Sequence, residues 1–467
     1  MKGKEFVSTR NPCKLCAPLG ASIAFRGIEG CIPLVHGSQG CSTYIRRYGI
    51  SHFREPIDIA SSNFTESSAI FGGGENLKNA IANVSKQYEP KAIGIASTCL
   101  SETMGENIPM YLSQYEASRK GESGGPAIFY ASTPSYSGTH MDGFHQAVFA
   151  AVKAFAGKPD ENGENVQAAC DDQPPADARK KINILSGFVS TEDLREIRDI
   201  VESFGADCIL VPDYSESLDG SSWETYQKLP EGGTKIADIR NMNRAAGTIS
   251  FDVSAREDRR AGLWLEKEFG VPCAPLYLPV GIEQTDKFFD ELSRISGNPV
   301  PEKWTKTRGR LIDAYIDGHK YCSGKRAIVY GEEDFVLALS AFLDEIGITP
   351  VVAATGAKNP QFAHCLAAAS PNSREAPVVA DDSDFETVLS IAQDMKADLI
   401  IGNSKGYHLA RNLKLPLVRA GFPVHDRMGG QRILHLGYRG TLSLFDSVCN
   451  ALMQAKQESA ESGWTYI

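Results

Sequence analysis

A chain of 467 residues is too long for one compact core and predicts two to four domains. Its 42% hydrophobic and 23% charged residues are an ordinary globular composition, and a net charge of −10 excludes a general nucleic-acid binder or a protein held on an anionic membrane. No apolar run is long enough to cross a bilayer, and the basic start MKGKEFVSTRNPCKLC has no apolar stretch behind it, so a cytoplasmic protein without a secretory signal is expected.

In chain order, a helix is predicted over Glu75 to Tyr88, with Leu77, Ile81, Val84 and Tyr88 on one stripe, followed by a strand at Ala92 to Ala96. Gly157 to Lys180 is polar, contains three prolines and reads as a linker. Ile182 to Leu185 is the next strand. It precedes a helix with Leu194, Ile197, Val201 and Phe204 on one face and Ser190 or Thr191 as its cap; Cys208 to Val211 is the strand after it. A second break is expected over Ser296 to Arg308. Then come a strand at Ala327 to Tyr330, a helix over Phe335 to Ile346 ending at Gly347, and strands at Val351 to Ala354, Leu399 to Ile401 and Leu417 to Ala420. Strands alternating with helices imply parallel sheets with crossover helices. The expected fold class is therefore α/β, with three Rossmann-like domains over residues 1–156, 181–295 and 309–467. Ligands in such sheets bind at the carboxyl ends of strands. No GxGxxG or GxxxxGK[ST] loop is present, which argues against nucleotide binding by this chain.

Eleven scattered cysteines, an odd number, argue against a disulfide framework in a reducing compartment. Cys208, Cys273, Cys365 and Cys449 lie in apolar or helical surroundings and read as small buried hydrophobes; Cys31 reads as core, and Cys170 falls in the linker. Cys16, Cys41 and Cys99 differ. They sit in glycine-rich, loop-like settings (NPCKLCAPLGA, HGSQGCSTY, ASTCLSETMGE), where a thiolate is reachable and the backbone can bend. Gly20, Gly27, Gly30, Gly37, Gly40 and Gly105 flank them, which would let backbone approach a bulky inorganic core. Three soft ligands suit an iron–sulfur cluster, but a four-iron cluster usually takes four, so a second chain would complete the site. Cys13 and Cys16 form a CxxC pair with no second pair or short-spaced histidines to make a zinc site.

The segments NPCKLCAPLGA, VHGSQGCSTYIRRY, SHFREPIDIASSNF and STCLSETMGEN resemble the β-type subunits of nitrogenase component 1 and its relatives. TPSYSGTH at Thr133 to His140 is similar to that family's TPSF-like loop, and GFPVHDRMGGQR with the following LGYRG is similar to its C-terminal signature. The resemblance implies a nitrogenase component 1-like fold in an α2β2 heterotetramer. It implies Cys16, Cys41 and Cys99 as ligands to an iron–sulfur cluster at the α–β interface, of the [4Fe-4S] or the [8Fe-7S] P-cluster type, with Ser135 the loop serine that approaches it. A larger iron–sulfur cofactor would reside in the α-type partner, and an ATP-dependent iron protein would deliver electrons. The wording of the N-terminal motifs is most similar to the β-type N subunit of the cofactor-assembly scaffold; a catalytic nitrogenase-like reductase, such as a methylthio-alkane reductase, would also suit the retained cysteines.

Four further groups carry expectations. His36 is expected to pack in a strand-to-loop turn. Glu102 and Glu106 are expected to be acids favoured at a helix start rather than acid–base catalysts. Arg46, Arg47, Arg54 and Glu55 would form a solvated face or a docking rim. His425 is expected to serve packing or an interface.

Overall fold

A computed structural model describes residues 13–119, 124–157, 180–371, 373 and 375–460. Most of the expected linker, with Cys170, and the segment before Cys13 lie outside the described residues.

Three parallel sheets carry the chain. The first holds β1 (Cys31–His36), β2 (Ala60–Ser61), β3 (Ala92–Ser97) and β4 (Ala127–Ala131) in the order β2-β1-β3-β4. The second holds β5 (Lys181–Leu185), β6 (Asp207–Val211), β7 (Gly247–Ser250) and β8 (Cys273–Pro275) in the order β6-β5-β7-β8. The third holds β9 (Arg326–Gly331), β10 (Thr349–Thr355), β11 (Val378–Ala380), β12 (Leu399–Gly402) and β13 (Leu417–Arg419) in the order β11-β10-β9-β12-β13. Every strand pairing among the three sheets is parallel. The central strands β1, β3 and β9 are covered on both faces, so they read as unbroken apolar runs rather than alternating ones. The α/β class expected from the alternation is the class observed.

The predicted elements fall where the periodicity placed them. The first helix runs Gly74–Tyr88 and buries Leu77, Ile81 and Val84. The helix Thr191–Ser203 starts at Ser190, whose hydroxyl accepts from the Asp193 N–H in a reciprocal capping box.

The break expected over Ser296 to Arg308 is shorter than its composition suggested. Helix Ile282–Ser296 ends at Gly297, and a new helix, Glu302–Cys322, begins right after Pro301. Trp304, inside the polar-looking stretch, is only 1% exposed, and its indole N–H donates to Ser203 Oγ at 2.7 Å. Burying that ring is what turns the stretch into structure.

The last helix, Gly437–Ser459, touches β13 of the third sheet and reaches beyond it. It runs along Glu302–Cys322 and touches Ile282–Ser296 and Thr191–Ser203. Gly318 allows the close approach: a Cβ there would stand 2.4 Å from the Phe445 ring. One continuous apolar core includes residues from all three sheets.

Candidate metal centre

The carboxyl edge of the first sheet gathers the three loop-borne cysteines. Cys41 follows β1, Cys99 follows β3 two residues after Ser97, and Ser135 follows β4. Cys16 reaches the same edge from outside the sheet, through an isolated antiparallel bridge to Thr139. Each thiol stands at the start of a helical segment: Cys16 caps Ala17–Arg26, Cys41 lies in the first turn of Gln39–Phe53, and Cys99 opens the single turn Cys99–Thr103. Cys99 is exposed, and Cys16 and Cys41 are half-buried.

The loops are tied together by hydroxyls. Thr98 Oγ1 donates to the His36 carbonyl at 3.0 Å, joining the ends of β1 and β3. Thr98 also caps the Cys99 turn in a box with Ser101. Thr133, at the end of β4, donates its N–H to Ser97 Oγ at 2.8 Å and its hydroxyl to the Ser97 carbonyl at 2.7 Å. Ser135 then bridges two of the cysteines. Its N–H donates to Cys99 Sγ at 3.2 Å, its Oγ accepts from the Ala17 N–H at 3.0 Å, and its hydroxyl hydrogen-bonds Cys16.

The electrostatics show the convergence directly. Burial pushes the Cys16 thiol up, the charges of Cys99 add to that, and hydrogen bonds from Ser135 and Tyr44 oppose it. Cys41 is likewise pushed up by burial and then by Cys16 and Cys99. Negative charge on one of these thiols thus disfavours it on Cys16 and Cys41, and a bound cationic metal group would relieve that repulsion. Among the described residues, no group of three His, Cys, Asp or Glu is arranged to hold a metal ion. The ligands of a lone zinc would all lie about 2.3 Å or less from it. The thiols are close enough for Cys99 to act on Cys16 and Cys41 without forming such a shell.

The neighbouring residues take other parts. Cys13 is not part of this set. It is buried against β9 and β10 residues, and burial pushes its thiol up to about 12. Of the flanking glycines, Gly20 and Gly37 allow close packing within the chain rather than the approach of an inorganic core: a Cβ on Gly20 would stand 1.7 Å from the His140 carbonyl oxygen, and one on Gly37 2.3 Å from Thr98 Oγ1. Glu102 is no simple helix-start acid. Its Oε1 accepts from the hydroxyls of Ser97, Tyr130 at 2.9 Å and Ser132 at 2.6 Å, locking the Cys99 turn to the end of β4. Glu106 accepts from the Gly73 N–H at 2.8 Å. His36 is fully buried with Nδ1 3.0 Å from Ser62 Oγ, as a packed turn residue should be. Arg54 donates to the His425 carbonyl at 2.9 Å, while Arg46 and Arg47 are exposed.

Three contributors escaped sequence reading. Tyr44 hydrogen-bonds Cys16 and lies one helical turn after Cys41, so its spacing was a usable signal. Lys405 comes from the far end of the chain, donates to the Lys14 carbonyl at 3.1 Å and brings positive charge to Cys13 and Cys16. His140 pins the strap that carries Cys16: its N–H donates to the Leu15 carbonyl at 3.0 Å, its Nδ1 accepts from the Leu15 N–H at 3.3 Å, and its Nε2 lies 3.1 Å from Glu332. No local pattern marks either of the last two.

Comparison with known proteins places this edge in context. Residues 16–453 match the profile of the Nitrogenase component 1 type Oxidoreductase family. The chain is 36% identical over 470 residues to the nitrogenase molybdenum-iron protein beta chain of Clostridium pasteurianum, covering 99% of this chain and 98% of that one. It is 32% identical over 450 residues to the nitrogenase iron-molybdenum cofactor biosynthesis protein NifN of Bradyrhizobium diazoefficiens, covering 96% of this chain and 90% of that one. Among solved structures, a chain of "Nitrogenase Cp1 at pH 6.5" superposes with a TM-score of 0.90 at 34% identity, covering 100% of this chain and 98% of the other.

Proposed function

The chain belongs to the nitrogenase component 1 type oxidoreductase family and is a nitrogenase-like β-type subunit, and from that premise we propose that it holds an interfacial iron–sulfur cluster through Cys16, Cys41 and Cys99. The observation that carries this reading is the gathering of the three thiols at one sheet edge, where Ser135 hydrogen-bonds both Cys99 and Cys16. When bound, the cluster would supply one-electron transfer at the face shared with an α-type partner. An ATP-dependent iron protein would be the electron source, and a larger cofactor in the partner the destination. The residues of this chain set the site. Ser135 and Tyr44 donate hydrogen bonds that favour the Cys16 thiolate, Lys405 adds positive charge, and Glu102 and His140 hold the loops in register. We also propose that 1–156, 181–295 and 309–467 fold as three units around the three sheets, the last reaching back to the start of helix Glu302–Cys322.

Two settings suit such a subunit. The wording of the N-terminal motifs favours cofactor assembly, and the identity and coverage shared with molybdenum-iron beta chains favour a catalytic reductase. Iron content and electron paramagnetic resonance of the purified complex separate them: about four irons at each α–β interface fit assembly and about eight fit catalysis. Cys41→Ala and Cys99→Ala should each lose that iron and the visible absorbance. A colourless complex, or one whose absorbance survives both substitutions, would end the cluster reading.

A further inference from the structure

Two thiols that take no part in the sheet edge meet where the last helix packs. Cys322 is the final residue of helix Glu302–Cys322, and Cys449 lies within Gly437–Ser459. Their sulfurs stand 3.4 Å apart. Among the described residues, no group of three His, Cys, Asp or Glu is arranged to hold a metal ion, so the pair belongs to no metal shell there.

The register that brings them together is set one turn away. Gly318 and Cys322 lie four residues apart on one helix, and Phe445 and Cys449 four apart on the other, so each pair shares a stripe. Gly318 leaves the space that Phe445 fills, and a Cβ there would also stand 3.1 Å from Cys449 Sγ. Tyr315 packs its ring on Phe445 at 4.8 Å. Sliding one helix past the other would open a void at these rings, so the thiols are held face to face.

The sulfurs need little movement to bond. From 3.4 Å, an approach of about 1.4 Å reaches the length of a disulfide. Cys322 is at a helix end, followed by the extended Ser323 and the exposed Gly324, so its backbone has room to give. Cys449 is the side from which a reagent arrives: it is 7% exposed and Cys322 0%. Their hydrogen bond also favours charge on Cys449, against burial and Asp446, and disfavours it on Cys322, where burial adds.

We propose that Cys322 and Cys449 are a covalent modification site, a dithiol that peroxide closes to a disulfide. The Cys449 thiolate attacks one peroxide oxygen and the O–O bond breaks, leaving a sulfenic acid and, with the thiol's proton, water. The Cys322 sulfur then attacks the Cys449 sulfur. The S–O bond breaks, the S–S bond forms, and the hydroxide leaves with the Cys322 proton as a second water. Two thiols lose two electrons and one peroxide gains them. The bond staples the last helix to Glu302–Cys322 and encloses all five strands of the third sheet, Arg326 to Arg419, in one covalent loop. The thiol edge takes no part, so the inference stands with or without a cluster.

Peroxide treatment of the reduced, purified full-length protein tests this. Peroxide is added in steps until the peptide carrying Cys99 is oxidised, which shows that the dose suffices. A non-reducing tryptic digest should then contain peptides 321–325 and 440–456 joined by a bond that dithiothreitol breaks, in protein that runs as a single chain on a non-reducing denaturing gel. The urea midpoint should rise by about 0.5 M on oxidation. Cys449→Ser, checked for folding by circular dichroism and treated alike, should show neither the joined peptides nor the rise. The proposal is overturned if the joined peptides are absent from the treated parent, or if parent and Cys449→Ser respond alike in urea.

Discussion

Cys16, Cys41 and Cys99 are distinguished by their shared sheet edge rather than by access alone, since Cys208 and Cys273, expected as buried hydrophobes, are half-buried as Cys16 and Cys41 are. Burial pushes the thiols of Cys13, Cys31, Cys208 and Cys273 up to about 12, so they stay protonated and unreactive in any ordinary buffer. Cys322 and Cys449 face each other at 3.4 Å in the core, a pairing no spacing in the sequence announces. In the isolated, metal-free chain, alkylation with iodoacetamide at about pH 8 should label Cys99 first and leave Cys13 and Cys31 untouched until the chain unfolds. Mass spectrometry of the digested protein reads the order, and labelling of Cys31 at the rate of Cys99 would contradict the burial argument. Cys99 also shows how a single side chain is positioned from several strands. Its turn is held by Thr98 to β1, and by Glu102 to Tyr130 and Ser132 at the end of β4.

Helix Ala17–Arg26 shows why one element is hard to move. It crosses His140–Phe155 with backbone against backbone, because Gly20 and Gly143 leave no side chain between them; a Cβ on Gly143 would stand 1.9 Å from the Ala17 carbonyl oxygen. Gly20→Ala should therefore force the helices apart, costing about 3 kcal/mol in a urea titration. Because Cys16 caps this helix, the same variant should lose iron in proportion to its loss of packing. Most elements were legible in the sequence, since Leu77, Ile81 and Val84 or Leu194, Ile197 and Val201 each mark one helical face. The thiol set was legible through its glycine-rich loops and its resemblance to a family. The helix around Trp304, the Lys405 charge and the His140 clamp were not. Each depends on which distant elements meet, and that information lies in tertiary packing rather than in any local period.

Across the whole molecule, buried histidine–carboxylate pairs join the sheets. His140 meets Glu332 at 3.1 Å, His145 meets Asp334 at 3.4 Å, and His435 meets Asp193 at 3.0 Å. For His145, burial alone would lower the pKa, but the hydrogen bond and charge of Asp334, helped by Asp252 and Asp142, raise it above 6.5. A raised histidine contributes stability that is complete below 6.5 and is lost as pH rises through the higher folded-state value. The His145 contribution to the urea midpoint should therefore fall on going from about pH 6 to about pH 8.5, against the opposite contributions of the lowered His36 and His52, so the parent minus His145→Gln difference should shrink over that range. An unchanged slope in the variant would show that this pair does not couple the first unit to the third. The final helix, Gly437–Ser459, acts as a closing strap. Tyr438 rests on Phe289 at 4.9 Å, and Arg439 lies over Trp304 at 4.9 Å while reaching Asp199 at 2.6 Å. Those aromatic rings are made early and sheltered late. During synthesis Phe289 and Trp304 would stay incompletely covered until that late helix docks, which gives chaperones a window in which to bind.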